Sequence, residues 1–317
     1  MSTMIEVRLR PTGPWRAGHR TGDRERVDAI YHSDALYSAV THAMASLNWL
    51  EEWLDATARA EIPAVRFSSL FPFVGDTRLL PPPRTAWPPS GAGKLYVSAA
   101  KLVPVEVARR GVVNESRWAV DGASECLLPV GMPAPFEVSM RAAAAVDRIT
   151  GHTEPHRTAC LEFTSNAGWW GLVETESAEW ETRVKSALRL LADSGFGGER
   201  SRGWGRAAEP EFSDASSMFG EGHPGAWWML SLYSPHAEDA VDWTRGDYAM
   251  LTRAGWTDSV SGGSVKKKHV RMIEEGSVLM APSLRGRAVD VAPEGFPHPA
   301  WRAGFALAVP VPLEVEA

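Results

Sequence analysis

The chain has 317 residues, 44% apolar and 23% charged, with a formal net charge of −6. A packed core is within reach, and neither wholesale disorder nor coating of nucleic acid by bulk charge fits these values. No apolar run approaches the ~18 residues of a spanning helix. The first residues, MSTMIEVRLRP, hold no apolar leader segment or small-residue cleavage site. Two cysteines, Cys126 and Cys160, are too few for a disulfide framework. A reducing, cytoplasmic setting is therefore predicted, and no membrane partner.

IEVRLR, residues 5–10, alternates at period two and predicts a first strand. An arginine- and glycine-rich loop follows to about residue 27. Ser33 then reads as an N-cap and Asp34 as a favourable helix-end charge, with Leu36, Val40, Met44 and Leu47 at helical spacing. Residues 65–74 predict a strand, and the proline-rich 79–93 an irregular segment. An insertion is predicted at about 94–141, built as a hairpin or long arm. Residues 161–163 and 169–174 predict strands. Ser177 caps the clearest amphipathic helix, with Trp180, Val184, Ala187, Leu188 and Leu191 on one face. A glycine-rich stretch and a strand near 207–212 complete the order βαββαβ, which is ferredoxin-like.

Residues 213–225 read as a linker, and 227–233 open a second β-rich unit. Helical pieces are predicted at 237–243 and near 247–254, and strands at 267–273, 277–280 and 305–312. From element order this is a degenerate second copy. The predicted class is α+β, with two tandem ferredoxin-like (RRM-like) domains at 1–215 and 216–317, a glycine-rich loop and an inserted β-hairpin arm.

The glycine-rich stretch, GFGGERSRGWGR at 195–206, follows a helix and precedes a strand. A dinucleotide fingerprint has the opposite placement and a different glycine spacing, and no Gly-Lys-Ser/Thr is present. No cofactor is predicted. Glycine lets backbone N–H groups approach phosphates, and arginine adds a forked donor. Trp204 is either a face for a stacked base or a buried anchor. The stretch thus fits a clamp on single-stranded nucleic acid, or equally a helix cap followed by a tight turn. Two further basic segments stand out: six arginines between Arg8 and Arg26, and KKKHVR at 266–271. His152, His156 and Cys160 are spaced by four, but Gly151 and Pro155 oppose the helix that would gather them, so no metal is predicted. His19, His32, Tyr31 and Tyr37 are nominal acid–base groups for an endonuclease, without an arrangement that places a base at a ribose 2′-OH.

GFGGERSRGWG resembles the glycine-rich loop of the RAMP superfamily of CRISPR RNA-binding proteins. HSDALYSAV, FPFVGDTRLLPPPR, KLYVSAAKLVPVE, AAVDRITGHTE, GGSVKKKHVRMIEEGSVL and HPAWRAGFALAVPV are similar, in chain order, to landmarks of the fourth-subunit family of the type III-A CRISPR (Csm) effector complex. The resemblance implies a non-catalytic subunit that caps the 5′ tag of the crRNA guide and through it meets target RNA. It implies docking to the large polymerase-like subunit and to the backbone RAMP subunit, and a hairpin thumb within the insertion. Gly197, Gly198, Gly203 and Gly205 would bring backbone to the RNA, with Arg200, Ser201, Arg202 and Trp204 contacting phosphates or bases. His32 and Ser33 would hold a phosphate at a helix N-terminus. Arg148 would reach the RNA, with Val146 and Ile149 in the core. Lys94, Lys101, Lys266, Lys267, Lys268 and Arg271 would supply further charge. The alternatives are a RAMP endoribonuclease that processes repeat RNA, the capping subunit of another type III system, and a subunit that touches only protein.

Overall fold

The first strand, β1 (Thr3–Leu9), turns Ile5, Val7 and Leu9 into the core. The computed structural model describes residues 2–18, 23–89, 97–111, 113, 116–147, 149–220, 222–223, 225–257 and 265–312. Helices α1 (Ser33–Ser46) and α2 (Leu50–Ala56) follow, then strands β2 (Val65–Phe67), β3 (Phe71–Val74) and β4 (Thr77–Leu80). The single strand predicted at 65–74 is thus broken at 68–70. There Ser69 N–H donates to Leu230 O (2.8 Å) and Leu70 N–H to Tyr31 O (2.8 Å), so the chain turns aside to meet the C-terminal half.

The insertion holds β5 (Val103–Pro104), α3 (Val105–Arg110), β6 (Trp118–Asp121) and β7 (Cys126–Pro129). Its longest feature is the hairpin of β8 (Phe136–Val146) and β9 (Thr153–Phe163), paired in unbroken register from Phe136↔Phe163 to Val146↔Thr153. The hairpin starts inside the predicted insertion but runs past its predicted end at 141. Val146 is 60% exposed and Ile149 96% exposed near its tip, which corrects their assignment to the core. A two-stranded ribbon has no second layer there to cover an apolar side chain.

Strand β10 (Ala167–Thr175) and helix α4 (Ala178–Ser194) come next. Ser177 caps α4 by accepting from Trp180 N–H (3.3 Å), and Val184, Ala187, Leu188 and Leu191 are buried. Strand β11 (Glu211–Asp214) lies later than predicted, and Ala207 makes only an isolated bridge to Pro11. The sheet order is β11–β1–β10–β3–β4–β5, with β2 also on β10 and every pair antiparallel. Alternation along β10 separates two cores. Trp169 packs with Val40 and Leu188 beneath the helices, while Trp170 packs with Trp228 and Val309 of the C-terminal half.

The C-terminal half contains β12 (Ala226–Met229), β13 (Asp242–Asp247), β14 (Met250–Arg253), β15 (Trp256–Thr257), β16 (Val265–Lys266), β17 (Val270–Ile273), β18 (Val278–Met280), β19 (Gly286–Asp290), β20 (Trp301–Phe305) and β21 (Ala308–Pro310). An antiparallel sheet has the order β13–β18–β12–β21, and β14–β17, β15–β16 and β19–β20 form ribbons. The two predicted helical pieces are instead loop and strand. Asp239 accepts from Tyr233 Oη, His236 N–H, Arg285 N–H and Gly286 N–H, and Asp242 from Thr244 N–H. Such side-chain bonds to backbone compete with a helix. Of the strand predicted at 267–273 only Val270–Ile273 forms, as β17, while β16 ends before that range at Lys266.

The architecture is α+β with several antiparallel sheets. Among the described residues no helix is long and apolar enough to cross a membrane. Both cysteines are free and buried.

Candidate nucleic-acid interface

The glycine-rich loop closes on itself. Phe196 N–H donates to Gly205 O (3.1 Å), and Gly205 N–H donates to Pro14 O (3.0 Å). A Cβ at Gly205 (φ +78°) would lie 2.0 Å from Phe196 O, and one at Gly195 (φ +84°) 2.7 Å from Trp204 O. Gly197 and Gly198 press against Arg16, where a Cβ would fall 2.7 Å from its carbonyl oxygen and 2.9 Å from its Cδ, respectively. These four glycines therefore serve the protein's own packing. That corrects the expectation for Gly205, whose backbone approach is to Phe196 and not to RNA. At Gly203, also at positive φ, nothing lies within 4 Å of a built Cβ. Phe196 anchors the loop between Trp15 and Tyr31, with ring centroids at 4.7 and 5.2 Å.

Trp204 is only 8% exposed, so it is the buried anchor and not a base platform. A single 3-10 turn, Arg200–Arg202, projects between Glu199 and Gly203 and exposes Arg200, Ser201 and Arg202. Arg202 pairs with Glu199 (3.2 Å) and donates to His156 Nε2 on β9 (3.3 Å), which leans the turn on the long hairpin.

The start of α1 faces the C-terminal half. Ser33 Oγ accepts from Leu232 N–H (2.9 Å) and makes no cap bond within the helix. His32 is buried, with Nδ1 2.9 Å from Glu275 Oε1 and Nε2 3.3 Å from Asp28 Oδ2. Ser69 donates to the same Glu275 oxygen. Burial alone would lower the His32 pKa, but Glu275 and Asp28 raise it to about 10, so the ring carries a charge between two carboxylates. The expectation that His32 and Ser33 hold a phosphate is therefore corrected: both side chains are committed to a seam between the halves.

Asp34 is fully enclosed. Its oxygens accept from Arg253 Nε and Nη2 (2.9 Å each) and from Arg302 Nη1. Burial alone would raise its pKa, yet the two guanidinium groups hold the carboxyl well below the usual carboxylate range. The forked donor geometry of arginine suits this shared clamp.

These elements enclose a cleft of about 340 Å³. One wall carries Arg16, Gly197, Gly198 and Arg200, and the other Arg253, Lys267 and Arg302. Among the described residues the lining thus carries five cationic side chains and one carboxylate, that of Asp34. Arg16 is a strut: Nη1 donates to Ala159 O (2.8 Å) and Arg24 O (2.9 Å), and Nη2 to Asp23 O (3.0 Å). Arg200 is exposed at the opening, and Lys267 lines the opposite wall. The surface is suited to a polyanion.

The fold brings together Gly197, Gly198, Arg200 and Lys267 from two distant stretches of sequence. Lys266 and Lys268 are exposed beside Lys267, and Arg271 is exposed on β17. Lys101 instead pairs with Glu125 (2.6 Å) and is not part of the cleft. Lys94, Arg148 and His19 lie outside the described residues. Tyr31 and Tyr37 are buried, and Tyr37 Oη is 2.7 Å from Thr57 Oγ1. His156 and Cys160 lie along extended β9, where four residues separate them by about 13 Å. Sequence reasoning missed Arg253, Arg302 and Glu275, whose partners are remote in sequence.

Residues 224–311 match the family described as the CRISPR Csm4 C-terminal domain. The CRISPR system Cms protein Csm4 of Thermococcus onnurineus (strain NA1) is 25% identical over 294 residues, covering 88% of each chain. The chain is similar to Csm4 along most of its length. A chain in the crystal structure of the Csm3–Csm4 subcomplex of the type III-A CRISPR-Cas interference complex shares the fold, with TM-score 0.67 and 14% identity over 96% of this chain and 99% of that one. A chain of the Csm1–Csm4 cassette in complex with cA4 has TM-score 0.60 and 17% identity, covering all of both chains. The Csm4 likeness therefore extends over both walls of the cleft.

Proposed function

We propose that this protein is a non-catalytic guide-RNA-binding subunit of a type III-A CRISPR effector complex. In this role it caps the 5′ tag of the crRNA and docks the large polymerase-like subunit. The cleft carries the proposal: a cation-lined opening between the glycine-rich loop and the C-terminal half, in a chain with the Csm4 fold throughout. Guide phosphates meet Arg200, Arg202 and Lys267, with Ser201, Gly203, Lys266, Lys268 and Arg271 on the approach. Csm3 and Csm1 each accompany Csm4 in a solved assembly, which supports a backbone RAMP subunit and the large subunit as partners. The setting is cytoplasmic.

Two tandem ferredoxin-like domains, 1–215 and 216–317, account for the topology. In support, β1 and β12 occupy equivalent places. Each first strand is flanked by the last strand (β11, β21) and the third (β10, β18), with the second (β3, β13) beyond. The β8–β9 hairpin is the arm. Exposed Val138, Met140, Val146 and Ile149 give it apolar side chains able to wedge between bases of the guide–target duplex. Against the endonuclease alternative, its candidate base His32 is held between Glu275 and Asp28 and does not line the cleft.

The test is Arg200→Ala combined with Arg202→Ala. Guide occupancy of the assembled complex should fall. The slope of log affinity against log salt should become shallower by about 1.4, the release expected for two phosphate contacts on a single strand. Unchanged occupancy and slope would remove the clamp.

A further inference from the structure

We infer a second RNA contact outside the cleft: Trp256 is a base-stacking platform, with Lys266 beside it to hold the adjoining phosphate. The inference rests on reading the cleft as an RNA interface and extends that interface along the β15–β16 ribbon.

Trp15, Trp53, Trp169, Trp170 and Trp228 are fully buried, whereas Trp256 is 65% exposed. The other strongly exposed tryptophan, Trp243, packs its edge on Tyr248 at 5.4 Å. Among the described residues Trp256 has no aromatic partner and joins no core cluster. A lone exposed ring is unremarkable by itself. Its surroundings give it meaning.

Trp256 pairs directly with Lys266 across the ribbon. Opposed residues of an antiparallel pair project to the same face, so the indole and the ammonium stand side by side. The next pair faces the other way: Thr257 is buried, and its hydroxyl donates to Val265 O (3.1 Å) and locks the strands together. The ribbon continues the cleft wall. Arg253 and Ala254 line the cleft, and Gly255 then leads to Trp256. Lys267 N–H donates to Gly255 O (2.9 Å). A Cβ at Gly255 would meet Arg302 Nη2 at 3.5 Å and Lys267 Cδ at 3.9 Å. The cations of the cleft therefore flank the residue that precedes the indole.

An aromatic face beside a line of cations is the equipment of single-strand nucleic-acid binders. A protein-docking tryptophan sits in a different setting, because lysine is depleted at such interfaces. Here Lys266, Lys267 and Lys268 adjoin the ring's own ribbon. RNA leaving the cleft past Arg302 and Lys267 meets the indole next.

The test measures binding of a labelled single-stranded oligoribonucleotide, and of an abasic strand of equal length, to the purified full chain. Trp256→Leu should weaken RNA binding by about 5- to 150-fold, the usual range for loss of one stacked base. Trp256→Phe keeps a π face and should stay within about threefold of the parent. The abasic strand should not distinguish the variants. Because the ring is exposed, both variants should melt with the parent protein. If the Leu and Phe variants bind RNA alike, the platform is overturned. If they bind RNA normally but no longer assemble with the other subunits, the surface is a protein contact and the inference also fails. Arg200→Ala with Arg202→Ala runs in parallel: RNA binding lost there but intact in Trp256→Leu sinks the platform and spares the cleft. RNA binding unaffected by both sets of changes removes the underlying reading.

Discussion

Asp34→Asn is the most informative single change, because it removes one charge and leaves the shape almost untouched. The native carboxylate is fully enclosed and shared by Arg253 and Arg302. Deleting one partner of a buried ion pair costs about 3–5 kcal/mol, since the remaining charge is stranded. Over 317 residues, an unfolding entropy of about 2.1 cal/mol/K per residue gives about 0.67 kcal/mol per degree. The melting temperature should fall by about 4–8 °C in a thermal scan near neutral pH. The native carboxyl titrates well below its unfolded value, so its contribution is complete above the unfolded pKa of about 3.9 and is lost as pH falls through the lowered folded value. The gap between parent and variant should thus be steady from pH 5 to 8 and narrow below about pH 3.9. Replacing Asp34 with Leu, and Arg253 and Arg302 with Met, should recover much of the loss, because an apolar group of similar volume carries no desolvation cost. A melting temperature for Asp34→Asn within about 1 °C of the parent would refute the charge-clamp reasoning.

Two further outcomes probe the seam and the loop. The His32 ring has a folded pKa of about 10 against about 6.5 unfolded, so its contribution is full below about pH 6.5 and is lost as pH rises through about 10. The urea midpoint of the parent should decline across that window while that of His32→Gln stays flatter; parallel curves would contradict the assignment. Gly205→Ala should destabilise clearly more than Gly203→Ala. Both residues have a positive φ, worth about 1–2 kcal/mol for an alanine. Only at Gly205 does the new methyl also strike a carbonyl oxygen, and equal losses would show that the loop does not need this close approach.

Local periodicity made the helical layer legible. The α4 face from Val184 to Leu191 and the Ser177 cap are short-range features, and both stand as the spacing predicts. The α1 stripe of Leu36, Val40 and Met44 is also buried as predicted. The misreadings share a different cause. Asp34 looked like a helix-end charge, because Arg253 and Arg302 are 219 and 268 positions away and leave no local trace. Ser33 looked like a cap, yet its hydroxyl serves Leu232. Val146 and Ile149 are apolar, which by sequence favours the core, but near the end of a two-stranded hairpin there is no core to enter. The glycines of the loop were legible as close approaches; that the approach is mostly to Arg16 and Phe196 depends on tertiary packing.

The span of the Asp34–Arg302 contact also sets a schedule. During synthesis the N-terminal half, glycine-rich loop included, leaves the ribosome first, at about 5–20 residues per second. Strand β20, which supplies Arg302, emerges about 5–20 s after the loop at that pace. In that interval the nascent chain displays the arginines of the 3-10 turn without the wall that opposes them. Both walls of the cleft therefore exist together only after β20 has emerged.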